Sequence, residues 1–378
     1  MIYFCWGAFY KVLNTYNLSS TIVDNTSLMR IVNFIAITLI LILIIINIDI
    51  KSFKLNYFIL IEEIFLVILS YFLSSHSTGT AFVISIVLII VSKDISFNSV
   101  LKTFLTFSVI TFVIGIILNF LGILPSMIRL EGYRLRNSIG FSYVSYPSQI
   151  LFYIICAWVA WRKEKITYIE LFILGCSSYL VYLNTRTISP FVLGTLLLVY
   201  VCMLKAFKVK QFITRFKITR FLSSFTFPLA FLTLLWLLFR APASIFVRVN
   251  QLVNNRLTLS LNGIKQFGTS ILGKHVVFSG YDAFGSSLNY NFVDSSYIQN
   301  LILNGWLYTL IIVVLFTLIT YKLVQNNQEY LIAVLVIISI HSMFDPQLML
   351  LWYSPFPFLL GKTFKEKFVS LDSNQFLY

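Results

Sequence analysis

Apolar blocks of membrane-crossing length recur from one end of this chain to the other, separated by short charged connections. A helix needs about 20 mostly apolar residues to span a bilayer. That criterion marks twelve stretches, roughly 1–14, 29–48, 55–74, 78–92, 100–123, 143–161, 166–183, 187–204, 221–240, 297–321, 329–345 and 347–361. The first, fourth and last are short, and the last contains Pro355 and Pro357, so it is expected to be broken or re-entrant. Composition points the same way: 58% of residues are hydrophobic and 11% charged, where soluble domains average about 25% charged. The expected fold is an all-α polytopic membrane protein with ten to twelve transmembrane helices. A soluble globular domain is excluded. The first block has no basic leader and no A-x-A-like site after it, so it is expected to be a first span and not a removable signal.

Orientation follows from the connections that hold Lys and Arg. One alternate set carries Lys51/Lys54, Lys93/Lys102, Arg162/Lys163/Lys165, six basic residues from Lys205 to Arg220, Lys322, and Lys362/Lys365/Lys367. That side is expected to be cytoplasmic, with both termini on it. The net charge of +14 would suggest nucleic acid in a soluble protein; here it is the cationic bias of membrane connections, and no nucleic-acid partner is expected. The opposite side is rich in arginine: Arg30, Arg129, Arg134, Arg136, Arg186, Arg240, Arg248 and Arg256, with only Lys265 and Lys274. Topology needs only charge, so a preference for arginine suggests its planar fork, which binds phosphate or carboxylate through paired hydrogen bonds.

One polar stretch breaks the membrane rhythm, from Arg240 to Ser296. The expected organisation is therefore transmembrane helices over 1–240, an outer cap over 241–296, further spans over 297–361 and a cytoplasmic tail over 362–378. Its many aromatic and aliphatic residues argue that the cap is folded over the membrane domain. Arg136, Arg186, Arg248 and Arg256, followed by Arg240, are candidates for gripping an anionic headgroup. Interfacial snorkelling accounts for any one of them alone; the set favours a clamp.

Asp294 stands just before a helix expected near Tyr297, where a helix N-terminus favours an ionised carboxylate. It is either a general base or only a helix cap. His341 and Asp345 are four apart, so a helix puts them on one face, and an ionisable pair in a span is either functional or a structural hydrogen-bonded pair. His275 is a further proton-transfer candidate. Glu62 and Glu63 fall within a span, where they would serve a transport path or pair with Lys11 or another basic group. Cys5, Cys156, Cys176 and Cys202 sit in apolar blocks with no CxxC spacing and are read as small buried hydrophobes. The sequence has no DxD, P-loop, G-x-S-x-G or H-E-x-x-H motif, so no metal or other cofactor is expected.

Short motifs add a resemblance. Asp294-Ser295-Ser296-Tyr297-Ile298 with Gly305 is similar to an H-N-x-Y-L…G segment with Asp in the histidine's place. Thr185-Arg186-Thr187 resembles an S-R-T turn, Arg136-Asn137-Ser138-Ile139-Gly140-Phe141 with Tyr146-Pro147 an R-x-x-x-G-F…P-N segment, and Asn255-Arg256-Leu257-Thr258 to Gly263 an N-x-R-L-x-G-R motif whose second arginine and following glycine are missing. His341 to Asp345 lies where polymerases of that group show a helix ending in Glu. Together these resemble the O-antigen polymerase and ligase family, especially the repeat-unit polymerases of capsule and exopolysaccharide in Gram-positive bacteria, over nearly the whole chain.

The resemblance implies a GT-C-like bundle in the bacterial cytoplasmic membrane. It also implies a glycosyltransferase joining oligosaccharide repeat units linked to undecaprenyl diphosphate, with membrane lipid around it and flippase and chain-length regulator proteins as partners. Under it, Asp294 is the expected base with His341/Asp345 as the alternative. Arg136, Arg186, Arg240, Arg248 and Arg256 would bind diphosphate or substrate with His275 and Tyr297, and Tyr281, Tyr290 and Tyr297 would offer faces to sugar rings. The alternatives are a ligase of the same family and a flippase or transporter of lipid-linked sugar.

Overall fold

The computed structural model describes residues 1–18, 25–47, 57–76, 79–131, 134–280 and 290–365 and is predominantly helical. Lys51, Lys54, Tyr281 and the tail beyond Lys365 lie outside the described residues. The chain divides into two compact units, Met1–Ser74 with Thr78–Thr187 and Leu350–Tyr378, and Ser75–Ser77 with Ile188–Met349.

The first unit holds α1 (Ile2–Thr15), α2 (Asn25–Asn47), α3 (Tyr57–Leu73), α4 (Thr80–Val91), α5 (Phe97–Phe120), α6 (Tyr146–Arg162), α7 (Tyr168–Thr185) and a 3-10 helix at Phe356–Phe364. On α1 the buried residues Tyr3, Trp6, Gly7, Tyr10 and Lys11 recur at helical spacing and form one face. Trp6 and Tyr10 donate to Asn33 Oδ1 at 3.3 and 2.7 Å. The Lys11 ammonium donates to Ser108 Oγ at 2.9 Å and lies 4.9 Å from the Phe104 ring centre. Lys11 is therefore not the partner of Glu62 or Glu63; Glu63 instead pairs with Lys93 at 2.6 Å.

The second unit holds α8 (Ile188–Ala206), α9 (Lys217–Ser224), α10 (Thr226–Phe239), α11 (Ala243–Leu252), α12 (Arg256–Phe267), α13 (Ser296–Leu303), α14 (Gly305–Gln325) and α15 (Glu329–His341). The expected cap thus contains two helices, α11 and α12. The segment after them is pinned to the α13–α14 junction, where Lys274, Trp306 and Leu307 exchange backbone hydrogen bonds with Ile302, Ser270 and Ile271. Gly305 adopts φ +80° there, and a Cβ on it would stand 2.3 Å from the Ile271 carbonyl oxygen, so the junction requires glycine.

Among the described residues, α5, α8 and α14 are long and apolar enough to cross a membrane, and α9 with α10 make a fourth candidate bent by 72°. These helices mark a membrane-embedded protein. Several expected spans come out differently. At about 1.5 Å per residue, the 14 residues of α1 and 12 of α4 fall short of a hydrocarbon core of about 30 Å. The block 221–240 is split at Phe225 between α9 and α10.

Block 347–361 is not a spanning helix: it is buried turn and the start of the 3-10 helix, because Pro355 and Pro357 withhold backbone donors. Its apolarity serves protein contacts. The expected loop 124–142 contains an antiparallel hairpin, β1 (Ile128–Glu131) and β2 (Arg134–Asn137), with Arg129 opposite Arg136.

Candidate functional site

Four stretches of the second unit meet at a buried cluster of charge: the starts of α8, α12 and α13, and the turn that follows α15. The approach to α12 is set locally. Asn254 and Asn255 take left-handed backbone, φ 54° and 63°, a conformation asparagine tolerates better than most residues. Asn250 then bridges the turn, its amide donating to Thr258 Oγ1 at 2.8 Å and its Oδ1 accepting from Thr258 N at 3.1 Å. That carbonyl satisfies one of the orphan donors of a helix start, and it fixes the direction in which Arg256, the first residue of α12, projects.

Arg256 reaches the turn after α15. Its Nη1 donates to Asp345 Oδ2 at 2.8 Å and also to the Phe344 carbonyl, an acceptor left over where α15 ends. Asp345 is 1% exposed. The same Oδ2 accepts from Ser189 Oγ at 3.2 Å, and His341 Nδ1 lies 3.2 Å away across one helical turn. A buried carboxylate is tolerable only when paired and hydrogen-bonded, and these groups meet that condition.

Arg256 faces a second carboxylate. Its Nε lies 3.8 Å from Asp294 Oδ2, which also accepts from Tyr290 Oη at 3.4 Å. The Asp294 side chain is 15% exposed where that of Asp345 is fully buried. Asp294 is not the helix cap; Ser295 is, accepting from Ile298 N at 3.3 Å. Ser296 holds this corner to the other: its N–H reaches the Ser342 and Asp345 carbonyls at 3.0 and 3.1 Å, and its hydroxyl accepts from Leu348 N at 3.1 Å. Gly263 lies two turns beyond Arg256 on α12, and a Cβ there would come within 2.4 Å of Val293 Cγ2. The absence of a side chain at 263 is what lets the Val293–Asp294 strand lie against α12.

The arrangement is an alternating chain of charge, Asp345 then Arg256 then Asp294, fully buried at one end and partly exposed at the other. Chemically, the partly exposed carboxylate is a hydrogen-bond and proton acceptor with a guanidinium 3.8 Å away. Among the described residues no group of three or more His, Cys, Asp and Glu side chains is placed to hold a metal ion.

Other expected site residues are placed elsewhere. In the first unit, Arg136 is 7% exposed. Its Nε donates to the Thr185 carbonyl at 2.7 Å and its Nη2 to Ser145 and Thr187 hydroxyls at 2.9 and 3.0 Å. It is built into the Thr185–Arg186–Thr187 turn and does not present an open anion grip. Arg186, at φ 49° as the cap of α7, is half-buried with its guanidinium 5.9 Å from the Tyr182 ring centre.

In the second unit, Arg240 and Arg248 are exposed at the end of α10 and on α11. His275 is exposed, its Nδ1 2.7 Å from the Ser75 carbonyl, and shares no contact with the Arg256 cluster. Tyr297 is 2% exposed, bonded to the Ser339 carbonyl at 3.2 Å and packed on Phe231; it is core and offers no face to a sugar. Ser189, Asn250 and Ser296 escaped sequence reasoning as site residues. Ser189 carried one faint signal, a hydroxyl in the first turn of a helix directly after the Thr-Arg-Thr turn.

Comparison with family models, with curated proteins and with solved structures gives no match, so what this constellation does must be decided by its own geometry.

Proposed function

We propose that the protein is a membrane glycosyltransferase that polymerises oligosaccharide repeat units carried on undecaprenyl diphosphate, at the outer face of the bacterial cytoplasmic membrane. The observation that carries this reading is the half-open Asp294–Arg256 pair, held by the fully buried Asp345 in a membrane-embedded chain. In the proposed step an acceptor sugar hydroxyl attacks the anomeric carbon of the donor glycan. The new C–O bond forms as the bond to the diphosphate breaks, the hydroxyl proton passes to Asp294, and undecaprenyl diphosphate departs with the bonding pair. A general base is effective only within hydrogen-bond reach of its proton, and Asp294 is the most accessible carboxylate of the cluster.

The departing diphosphate gains charge, which preplaced cations stabilise. Arg240 and Arg248, both exposed in the same unit as Asp294, are assigned that role. Arg136 is reassigned to holding the turn that carries Arg186, and Asp345 and His341 to holding Arg256. The reading carries with it a polytopic GT-C-like architecture with both termini cytoplasmic.

The test is a chain-length ladder from cells or from reconstituted protein. Asp294→Asn and Arg248→Ala are each expected to abolish long polymer while protein level and lipid-linked single repeats stay normal. Normal ladders from both variants would sink the assignment. Polymer transferred to a different acceptor would instead favour a ligase, and no product at all from preflipped lipid-linked repeats would favour a flippase.

A further inference from the structure

The connection after α8 is the most basic of the chain, with Lys205, Lys208, Lys210, Arg215, Lys217 and Arg220 and no acidic residue between them. It is nonetheless held firmly. The carboxylate of Glu329, the first residue of α15 and 3% exposed, accepts from the backbone N–H groups of Phe212, Ile213 and Thr214 at 2.9, 2.6 and 3.2 Å. Thr214 Oγ1 donates to it at 3.1 Å, and the Tyr200 hydroxyl is a further donor. Arg220 turns inward and helps hold the loop, its Nη1 donating to the Thr214 carbonyl and Asn327 Oδ1 at 3.2 Å, while Lys208, Lys210, Arg215 and Lys217 are exposed on the anchored backbone.

Helix α9 completes the surface in an unusual sense. Ser223 and Ser224 are buried, and the Ser224 carbonyl accepts from Thr320 Oγ1 of α14 at 2.7 Å. Ile218, Phe221 and Leu222, at i, i+3 and i+4, are 73%, 60% and 49% exposed. Surface helices ordinarily turn such a stripe inward; this one turns it out. Phe207, Phe212 and Phe216 are exposed alongside. Helix α9 is bent by 72° from the apolar α10, so an α10 running along the bilayer normal leaves α9 nearly in the membrane plane. An outward apolar face on an in-plane helix beside basic residues is the pattern of an interfacial helix.

We propose that residues 205–222 form an elbow that docks on anionic lipid headgroups. Ile218, Phe221 and Leu222 enter the acyl boundary, and Lys208, Lys210, Arg215 and Lys217 meet the phosphates above it. Charge complementarity selects an acidic surface, and the bulky apolar residues between the charges select a membrane over an acidic soluble protein. The elbow depends on membrane embedding and not on glycosyl transfer, so it stands or falls separately from the reaction.

The experiment is lipid retention by the full-length protein, released from detergent with equal phosphatidylglycerol and phosphatidylcholine and read by native mass spectrometry. The wild type is expected to keep phosphatidylglycerol preferentially. Neutralising Lys208, Lys210, Arg215 and Lys217 to Gln should reduce that preference by about fivefold or more per charge at low salt, and raised salt should shrink the difference. A second reading keeps the test open if the variant is unstable: an indole introduced by Ile218→Trp should be quenched by brominated lipids in vesicles. Equal retention of the two lipids by the wild type, an unchanged preference in the neutralised chain, or an unquenched indole would each overturn the proposal. Displacement of phosphatidylglycerol by soluble polyglutamate but not by other lipids would also overturn it, pointing to an acidic protein.

Discussion

Helix α15 has a buried carboxylate at its start, Glu329, and another just past its finish, Asp345, 3% and 1% exposed. Their surroundings differ in kind. Among the described residues Glu329 is satisfied by neutral donors, three backbone amides and two hydroxyls. Asp345 is satisfied by a cation, and that cation touches a second carboxylate that keeps part of its surface open. A carboxylate saturated by fixed dipoles has little left to offer a substrate. A chain of charge that ends at a partly exposed carboxylate has a buried anchor and an end that a substrate can approach. Burial of an acid does not by itself mark chemistry; what matters is whether its partners lead back to the surface.

The sharpest way to break this contrast is Arg256→Ala. It leaves the buried Asp345 charge without its cation, and removing one member of a buried pair costs about 3–5 kcal/mol. Thermal unfolding in detergent should show the loss, and adding Asp345→Asn should recover part of it because the stranded charge is gone. No recovery would mean that Arg256 does not serve as the anchor's counter-charge.

At the other end, Glu329→Ala leaves several donors without a partner, at a cost of about 2 kcal/mol. Because some of those amides lie near water, the expected signature is faster tryptic cutting between Lys205 and Arg220, with the proposed glycan polymerisation per folded molecule intact. Lost polymerisation in a fully folded Glu329→Ala protein would reverse the roles assigned to the two ends.

Gly263→Ala is a finer probe. Overpacking against Val293 costs about 1–3 kcal/mol, and the shift should move Asp294 away from Arg256. The expected result is a larger fall in polymer formation than in thermal stability. The reverse ranking would separate the α12 contact from the chemistry. Asp294→Asn completes the series at the small end for stability: a partly exposed pair at 3.8 Å contributes no more than about 1 kcal/mol, so that variant should melt like wild type.

Much of this was legible in the residues. The apolar runs of α5, α8 and α14 appear as helices because length and hydropathy alone decide that outcome. Arg256, Asp294, His341 and Asp345 stood out as charges that a membrane chain carries only for a reason, and the i, i+4 spacing of the last two survives in the turn after α15. The use of each charge was not legible. Arg136 and Arg256 look alike in sequence, yet one is bound into the Thr185–Thr187 turn and the other faces two carboxylates. Tyr297 matched a motif, and its ring is in the core. Apolarity at 347–361 suggested lipid, while prolines and burial make it an interior segment.

By itself the sequence determined that this is a helical chain in a membrane, where its charges are concentrated, and which few ionisable residues had to be accounted for. Composition and periodicity are local, and the bilayer responds to them locally. Tertiary structure decided which charges meet. Arg256 and Asp345 are 89 residues apart in the chain, and their contact depends on a turn braced by Asn250, a serine knot at Ser296 and a missing side chain at Gly263. None of those contacts has a period or a spacing, because each is a distance between segments that only folding brings together.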